Sequence, residues 1–540
     1  MAVRAEAGCR GANALCLMFL LVLALGGCAR LPVNVERPAS AALDNPAATK
    51  LGQLAMASTP DPELSGFRLL PLPAFSLDAR LELARRAERS LDVQYYLIQN
   101  DVTGRILLRA LRDAASRGVR VRILVDDLYT AQSEALLRAL AAYPQIEVRL
   151  FNPFPAGRGS LSTRVAASLF DFDRINRRMH NKLFIADNAM AVAGGRNMAD
   201  GYFQRDSLAN FIDMDVLAAG PVVVRLSSFF DVFWNSPQVY PIESLVPSDA
   251  PDAVLRARFD AMTSPITTPA PVAPDSEDRL GYNALSRDFA MRADLISLTW
   301  SHAEAFSDLP SKVLSTAAAG EPLTDAAHDT VLFNVRQLVR AAEHEVFETM
   351  PYLIPGPEGM RSIRLLRARG VRFNIVTNSL AASDEPLVHS GYRRYRMELL
   401  HLGVELYELS PRRTANAAGF GTLGSVGGRL HGKLAVVDGK SVFVGSMNFD
   451  PRSDARNTEL GLIISSSAIA QQMRALITGL EREGAYRVQL NPDDRRLEWL
   501  EPETNADERG PVIHRTEPEA DFWTRWKLEL LAPLIPESLL

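Results

Sequence analysis

Met179-His180-Asn181-Lys182-Leu183-Phe184-Ile185-Ala186-Asp187 returns later in the same chain as Leu430-His431-Gly432-Lys433-Leu434-Ala435-Val436-Val437-Asp438. Both copies read His-x-Lys-x₄-Asp, and after six further residues each runs into a small-residue turn that ends on Asn: Gly194-Gly195-Arg196-Asn197 in the first, Gly445-Ser446-Met447-Asn448 in the second. On a strand, side chains at i and i+2 share a face. Each imidazole and ammonium therefore converge on one anionic group, and a phosphodiester suits the pair. The apolar run between Lys and Asp predicts a buried strand. The glycines behind it allow a close turn that presents Asn197 or Asn448 to the same pocket. A single His-x-Lys is ordinarily a solvated surface pair. Two copies with one spacing and one following turn are not what surface charge produces, and they imply one site assembled from two halves.

The rest of the chain repeats as well. Gly118-Val119-Arg120-Val121-Arg122-Ile123-Leu124-Val125-Asp126 matches Gly370-Val371-Arg372-Phe373-Asn374-Ile375-Val376-Thr377-Asn378 at an offset of 252, and His180 matches His431 at 251. Near-equal offsets over such a span indicate a duplicated domain. In the first copy, helical spacing over 74–89 and 103–117 alternates with extended stretches at 90–98, 119–126 and 146–151. In the second, helices at 331–342 and 359–369 alternate with extended stretches at 344–353 and 370–378. Alternation of this kind predicts α/β domains. Residues 30–62, rich in Ala, Pro, Ser and Asn, read as a tether with one short helix around 47–56, and the Pro- and Ser-rich stretch 247–278 as a linker, which gives domains at 63–246 and 279–540. A hairpin is expected around Asn491-Pro492-Asp493-Asp494. The aromatic stretch Phe522–Leu531 reads as an amphipathic helix that covers the protein's own core, with lipid contact as the other reading.

With 540 residues the chain is long enough for two cores, and a net charge of −5 offers no broad basic surface for nucleic acid. Arg4 and Arg10, the apolar run Ala14–Ala24, and Leu25-Gly26-Gly27-Cys28 resemble a bacterial lipoprotein signal over residues 1–27, with Cys28 as the lipidated residue. Of the three cysteines, Cys9, Cys16 and Cys28, only Cys28 would remain after cleavage, so no internal disulfide is expected. The expected location is the periplasmic side of the cell envelope. Ala29 after the lipidated position favours the outer membrane.

These residues carry a resemblance to the phospholipase D superfamily, whose pattern is H-x-K-x₄-D-x₆-G-[GS]-x-N twice in one chain. Arg178 to Lys182, Gly194 to Asn197, Thr377 to Asp384 and Val388 to Tyr392 look like the bacterial cardiolipin synthase C type within it. The resemblance implies two fused, duplicated phospholipase D-like α/β/α domains, related by a pseudo-two-fold axis, with one active site at their interface. It further implies a phosphatidyltransferase that makes cardiolipin from phosphatidylglycerol and phosphatidylethanolamine through a phosphohistidine, without cofactor or metal. A monomer suffices for such a site, and the lipid anchor supplies the membrane.

On that resemblance His180 is the nucleophile and His431 the general acid, then base. Lys182, Lys433, Asn197 and Asn448 bind the non-bridging phosphate oxygens. Asp187 and Asp438 complete the two motifs, with a structural role at their own turns as the alternative reading. A carboxylate is expected behind each imidazole. Glu459 is the choice in the second half, and Asp215, over its neighbour Asp213, in the first. His389, Tyr392 and Arg393 are candidates for a head-group site, and Arg196 stands between that role and a structural one. The alternatives are a phospholipase D-type hydrolase, a nuclease of the same superfamily, and a lipid-binding lipoprotein without catalysis.

Overall fold

The computed structural model describes residues 30–168, 171–269, 271, 275–291, 296–314, 330–414, 427–501 and 512–532. The signal segment 1–27 and Cys28 lie outside the described residues. In the first half the strands are β1 (Ser65–Leu70), β2 (Ser90–Tyr95), β3 (Arg120–Asp126), β4 (Ile146–Phe151), β5 (Leu183–Ala186), β6 (Met190–Gly194), β7 (Asn210–Ile212), β8 (Asp215–Ala219) and β9 (Val239–Pro241). In the second they are β10 (Thr299–Ser307), β11 (Glu345–Thr349), β12 (Arg372–Asn378), β13 (Glu405–Leu409), β14 (Gly428–Leu430), β15 (Lys433–Val437), β16 (Ser441–Gly445), β17 (Leu460–Ser465), β18 (Ala485–Leu490), β19 (Leu497–Leu500) and β20 (Ile513–His514).

Hydrogen bonding orders the first sheet β1-β8-β6-β5-β2-β3-β4-β9, with β2, β3 and β4 parallel. The second repeats it as β10-β17-β16-β15-β11-β12-β13-β18-β19-β20, with β11, β12 and β13 parallel. An antiparallel pairing of β1 with β10 joins the two at the pseudo-two-fold axis. The expected hairpin is the β18–β19 pair.

The apolar run in each motif is buried on both faces, which is why it does not alternate with polar residues. Ile185 and Val436 point into a core shared by the two halves. Phe184 and Ala186 join the core of the first half, and Ala435 and Val437 that of the second. The shared core also receives Phe230, Phe233 and Trp234 from the helix Pro221–Trp234, and Met473 and Ile477 from the helix Ser467–Gly484. The outer faces carry the remaining helices. Val102–Ser116 starts where the Asp101 side chain accepts the Gly104 N–H. The chain then turns through Gly118 at φ +93° into β3, and Gly370 at φ +83° does the same ahead of β12.

The Asp that ends each motif belongs to this framework rather than to the chemistry. Asp187 accepts the backbone N–H groups of Glu88, Arg89 and Ser90 at 2.8–2.9 Å, tying the turn that enters β2. Asp438 accepts those of Glu343, His344 and Glu345 at 2.8–2.9 Å ahead of β11. Both sit in the left-handed region, at φ +54° and +53°. The catalytic assignment of Asp187 and Asp438 is therefore corrected.

Three further expectations change. The stretch read as a tether contains its expected short helix, Lys50–Ser58, which buries Leu51 and Leu54, but is docked on the first half: Arg122 donates to the Ser40 carbonyl at 2.9 Å and Arg149 to that of Pro38 at 2.7 Å. The stretch read as a linker contains the helix Asp252–Met262, which buries Leu255 and Phe259. The helix Phe522–Leu531 buries only Leu528 and leaves Phe522, Trp523, Trp526, Leu530 and Leu531 exposed, so it does not cover the core.

Since each motif Asp satisfies three N–H groups at once, Asp187→Ala is expected to cost about 3 kcal/mol of stability, read as a lower urea midpoint. The folded fraction should keep its activity; loss of catalysis without loss of stability would return Asp187 to the active site.

Candidate active site

The segment that carries each histidine is held at its own end by a parallel strand and across the interface by the other half. At the end of β3, Asp126 accepts the Met179 N–H at 2.8 Å. At the end of β12, Asn378 accepts the Leu430 N–H at 2.8 Å. The cross-links are reciprocal. β14 pairs in parallel with β7, Leu430 opposite Ile212, and Met179 forms a parallel bridge to Thr458. His431 donates its backbone N–H to Ile212 at 2.8 Å, and His180 donates to Thr458 at 2.9 Å.

The residue after each of those carbonyls is the carboxylate behind the imidazole. His180 Nδ1 lies 3.0 Å from Glu459 Oε2 and 3.1 Å from the Ser446 carbonyl. His431 Nδ1 lies 2.6 Å from Asp213 Oδ2. Ionised carboxylates only accept, so Nδ1 carries the proton in both rings and Nε2 keeps the lone pair. Each half thus contributes one imidazole and orients the other half's. Both histidines, with Asn197 and Asn448, line one cavity of about 580 Å³.

Lys182 and Lys433 are fully buried beneath the imidazoles. Each donates to the carbonyl of the His two residues earlier, Lys182 at 2.6 Å, and Lys433 Nζ is 3.1 Å from His431 Nδ1. Neither lysine reaches the cavity wall in this conformation. Asn197 donates to the Tyr202 hydroxyl at 2.9 Å, and the amide oxygens of both Asn197 and Asn448 are buried without a hydrogen-bond partner among the described residues.

Electrostatics separates the groups. Burial and the Lys182 charge push the His180 imidazole down to about 4, against the pull of Glu459. Burial and Lys433 also lower His431, with Asp213 opposing. Burial lowers the ammonium groups to about 7 for Lys182 and about 8 for Lys433. Burial alone would raise Asp213, yet His431, Lys433 and Arg196 hold it at about 2. Glu459 is likewise kept below its ordinary value, burial being outweighed by His180 and Lys182. At neutral pH the site contains a neutral His180, two carboxylates, a mostly protonated Lys433 and a Lys182 close to half-protonated.

The family model described as "Cardiolipin synthase, PLD-like domain" matches residues 81–234 and 335–480, one motif in each segment. The chain belongs to the cardiolipin synthase family of phospholipase D-like proteins. It is 36% identical to cardiolipin synthase C of Escherichia coli K12 over 87% of this chain and 96% of that one. It is 24% identical to cardiolipin synthase A of Pseudomonas syringae over 78% of this chain and 70% of that one. The fold matches a phosphatidylserine synthase of Haemophilus influenzae with a TM-score of 0.54 at 14% identity, covering 90% of this chain and 98% of that one.

Asp215 is not behind His431. It pairs with Gly194 in the β6–β8 ladder, as Gly461 pairs with Gly445 in the β16–β17 ladder, so the equivalent of Glu459 is Asp213, two residues earlier. Asp215 instead binds Ser76 Oγ at 2.6 Å, Arg80 at 3.0 Å and Arg196 at 3.3 Å. Arg196 is structural, donating to the Leu70, Pro71 and Asp213 carbonyls.

The head-group candidates also lie elsewhere. His389 is 3.2 Å from Arg396, Tyr392 donates to Glu408 at 2.7 Å, and Arg393 pairs with Glu517 at 3.5 Å; none of the three lines the two-histidine cavity. Their neighbours Asp384, Leu387 and Val388 do, with Tyr96, Tyr202, Tyr352 and Arg452, which no spacing in the sequence marked.

The expected kinetic signature separates the two aspartates. Asp213→Asn should lower kcat by ~10³ to 10⁴, as loss of an orienting carboxylate does, whereas Asp215→Asn should lower the thermal midpoint and leave kcat within about tenfold. The reverse ranking would overturn the assignment.

Proposed function

We propose that the protein transfers a phosphatidyl group from phosphatidylethanolamine to the free glycerol hydroxyl of phosphatidylglycerol, making cardiolipin through a phosphohistidine and without a metal. The observation that carries this reading is the pair of buried imidazoles, each with Nδ1–H fixed by a carboxylate and Nε2 turned to one cavity, that of His431 lying 3.4 Å from the Tyr202 hydroxyl. The 36% identity to a cardiolipin synthase C supports the choice of substrates.

A bound phosphodiester adds one negative charge and favours one shared proton on the imidazoles. His180, lowered to about 4, stays neutral and attacks phosphorus through Nε2. His431, held at 2.6 Å by Asp213, carries the proton. As the P–N bond forms and the P–O bond to ethanolamine breaks, His431 protonates the departing alcohol oxygen. It then takes the proton from the glycerol hydroxyl of phosphatidylglycerol as that oxygen attacks phosphorus and the P–N bond breaks. Lys182 and Lys433 oppose the charge that builds on the five-coordinate phosphorus, and the side-chain NH₂ groups of Asn448 and of Asn197, which also donates to Tyr202, hold the non-bridging oxygens.

A membrane surface follows from the same reading. No helix of the described residues is long and apolar enough to cross a membrane. Lipidation of Cys28 at the periplasmic face, at the outer membrane, would supply an anchor. The exposed Trp523, Trp526, Phe522 and Leu530 of the helix Phe522–Leu531 would supply a second contact at head-group depth.

Purified protein incubated with both phospholipids in mixed micelles containing EDTA should give cardiolipin and free ethanolamine by mass spectrometry. His180→Ala and His431→Ala should each lower the rate by ~10⁴ or more, with the double variant scarcely worse. Phosphatidic acid as sole product would make the protein a hydrolase, and turnover of DNA alone would make it a nuclease. In vesicle sedimentation, Trp523→Ala with Trp526→Ala in protein lacking Cys28 should weaken binding to phosphatidylglycerol vesicles severalfold; unchanged binding would remove the helix from the membrane contact.

A further inference from the structure

A second cavity, of about 470 Å³, lies on the helix-covered side of the second half. Leu332 and Val339 of the helix Val331–Arg340, Ile363 of the helix Gly356–Ala368, Phe373 of β12, and Leu353 with Ile354 give it apolar walls. Its size is that of a ligand site rather than a packing defect. Asn448 and Asp450 line both this cavity and the one that holds the two histidines. The two spaces therefore adjoin at the phosphate-binding end of the second motif.

In the first half the helices Pro73–Arg86 and Val102–Ser116 pack on each other; their counterparts Val331–Arg340 and Gly356–Ala368 meet where Arg340 donates to Ser362 Oγ at 3.2 Å, and their Leu332, Val339 and Ile363 line the cavity. Strand register equates Glu348, opposite Ala435, with Val93, opposite Phe184. Val93 is an ordinary core residue. Glu348 is 2% exposed, lines the cavity, and has an Oε1 buried without a hydrogen-bond partner among the described residues. Burial raises its carboxyl to about 8, so at neutral pH it is an uncharged donor facing an apolar space. An unmet donor of that kind is costly. The occupant that answers both features is an apolar chain bearing a hydrogen-bond acceptor, which is the chemistry of an acyl ester.

Resting on the phosphatidyl-transfer reading above, we infer that this cavity receives one acyl ester chain of the phospholipid whose phosphate lies at His180 and His431. The chain enters past Asn448 and Asp450, and Glu348 donates its O–H to the ester carbonyl.

The test compares cardiolipin formation from dioleoyl and dihexanoyl phospholipids in the same detergent micelles. Each buried methylene is worth about 0.8 kcal/mol, so the wild-type protein should prefer the long chains by at least tenfold in kcat/KM. Ile363→Phe and Val339→Phe, which narrow the cavity, should each bring that ratio to within about threefold. Independently of any variant, a phosphatidylethanolamine with a diazirine in its acyl chain should cross-link the wild-type protein within residues 332–339 or 360–373. Turnover with no chain-length preference, or cross-links confined to other peptides, overturns the inference and leaves the transferase reading standing. No turnover of any phospholipid overturns the transferase reading, and the inference with it.

Discussion

Two carboxylates reach across the interface, Glu459 to His180 and Asp213 to His431, and the rest of the molecule is arranged so that they can. Both are fully buried, as are Lys182 and Lys433. Four charges withdrawn from water are tolerable only when paired and hydrogen-bonded, and removing one partner leaves an uncompensated charge whose cost is several kcal/mol. Separating the halves would strip each carboxylate of its imidazole. The β1–β10 pairing, the reciprocal β7–β14 and Met179–Thr458 contacts, and the shared core around Ile185 and Val436 hold the halves in the one register that keeps all four charges matched.

The same constraint explains which parts of the fold could be read from the chain. The motifs, the duplication and most strands and helices follow from local spacing. The parallel pair Asp126 and Asn378, found through the repeat at an offset of 252, proved to be the residues that grip the segments before each histidine. Glu459 was legible because Asn457-Thr458-Glu459 resembles the family's acidic position after the second motif. Asp213 was not separable from Asp215, because the choice depends on which residue faces Gly194 across β6 and β8, and register is a property of two strands rather than one.

Other residues changed meaning for similar reasons. Asp187 and Asp438 stand in the motif with the spacing of catalytic groups, but their partners are backbone N–H groups more than ninety residues away in sequence. His389 and Tyr392 sit in a stretch that looks like the family's, yet face Arg396 and Glu408 rather than the cavity. The exposed aromatic face of the helix Phe522–Leu531 has the spacing of a packed helix, and only the structure shows that little packs on it. The apolar cavity over Glu348 was invisible in sequence because its walls come from two helices, β12 and the segment after β11, which only the fold brings together.

The central claim, that each imidazole is oriented by the opposite half, is tested most directly by NMR of protein labelled with ¹⁵N in its eight histidines. His180 and His431, identified by their His→Ala variants, should both show Nδ1 protonated and Nε2 bare at neutral pH. Glu459→Gln should then shift the His180 ring nitrogens alone, and Asp213→Asn those of His431 alone. A His431 spectrum that responds to Asp215→Asn and not to Asp213→Asn, or histidines that respond only to changes within their own half, would contradict the crossed arrangement.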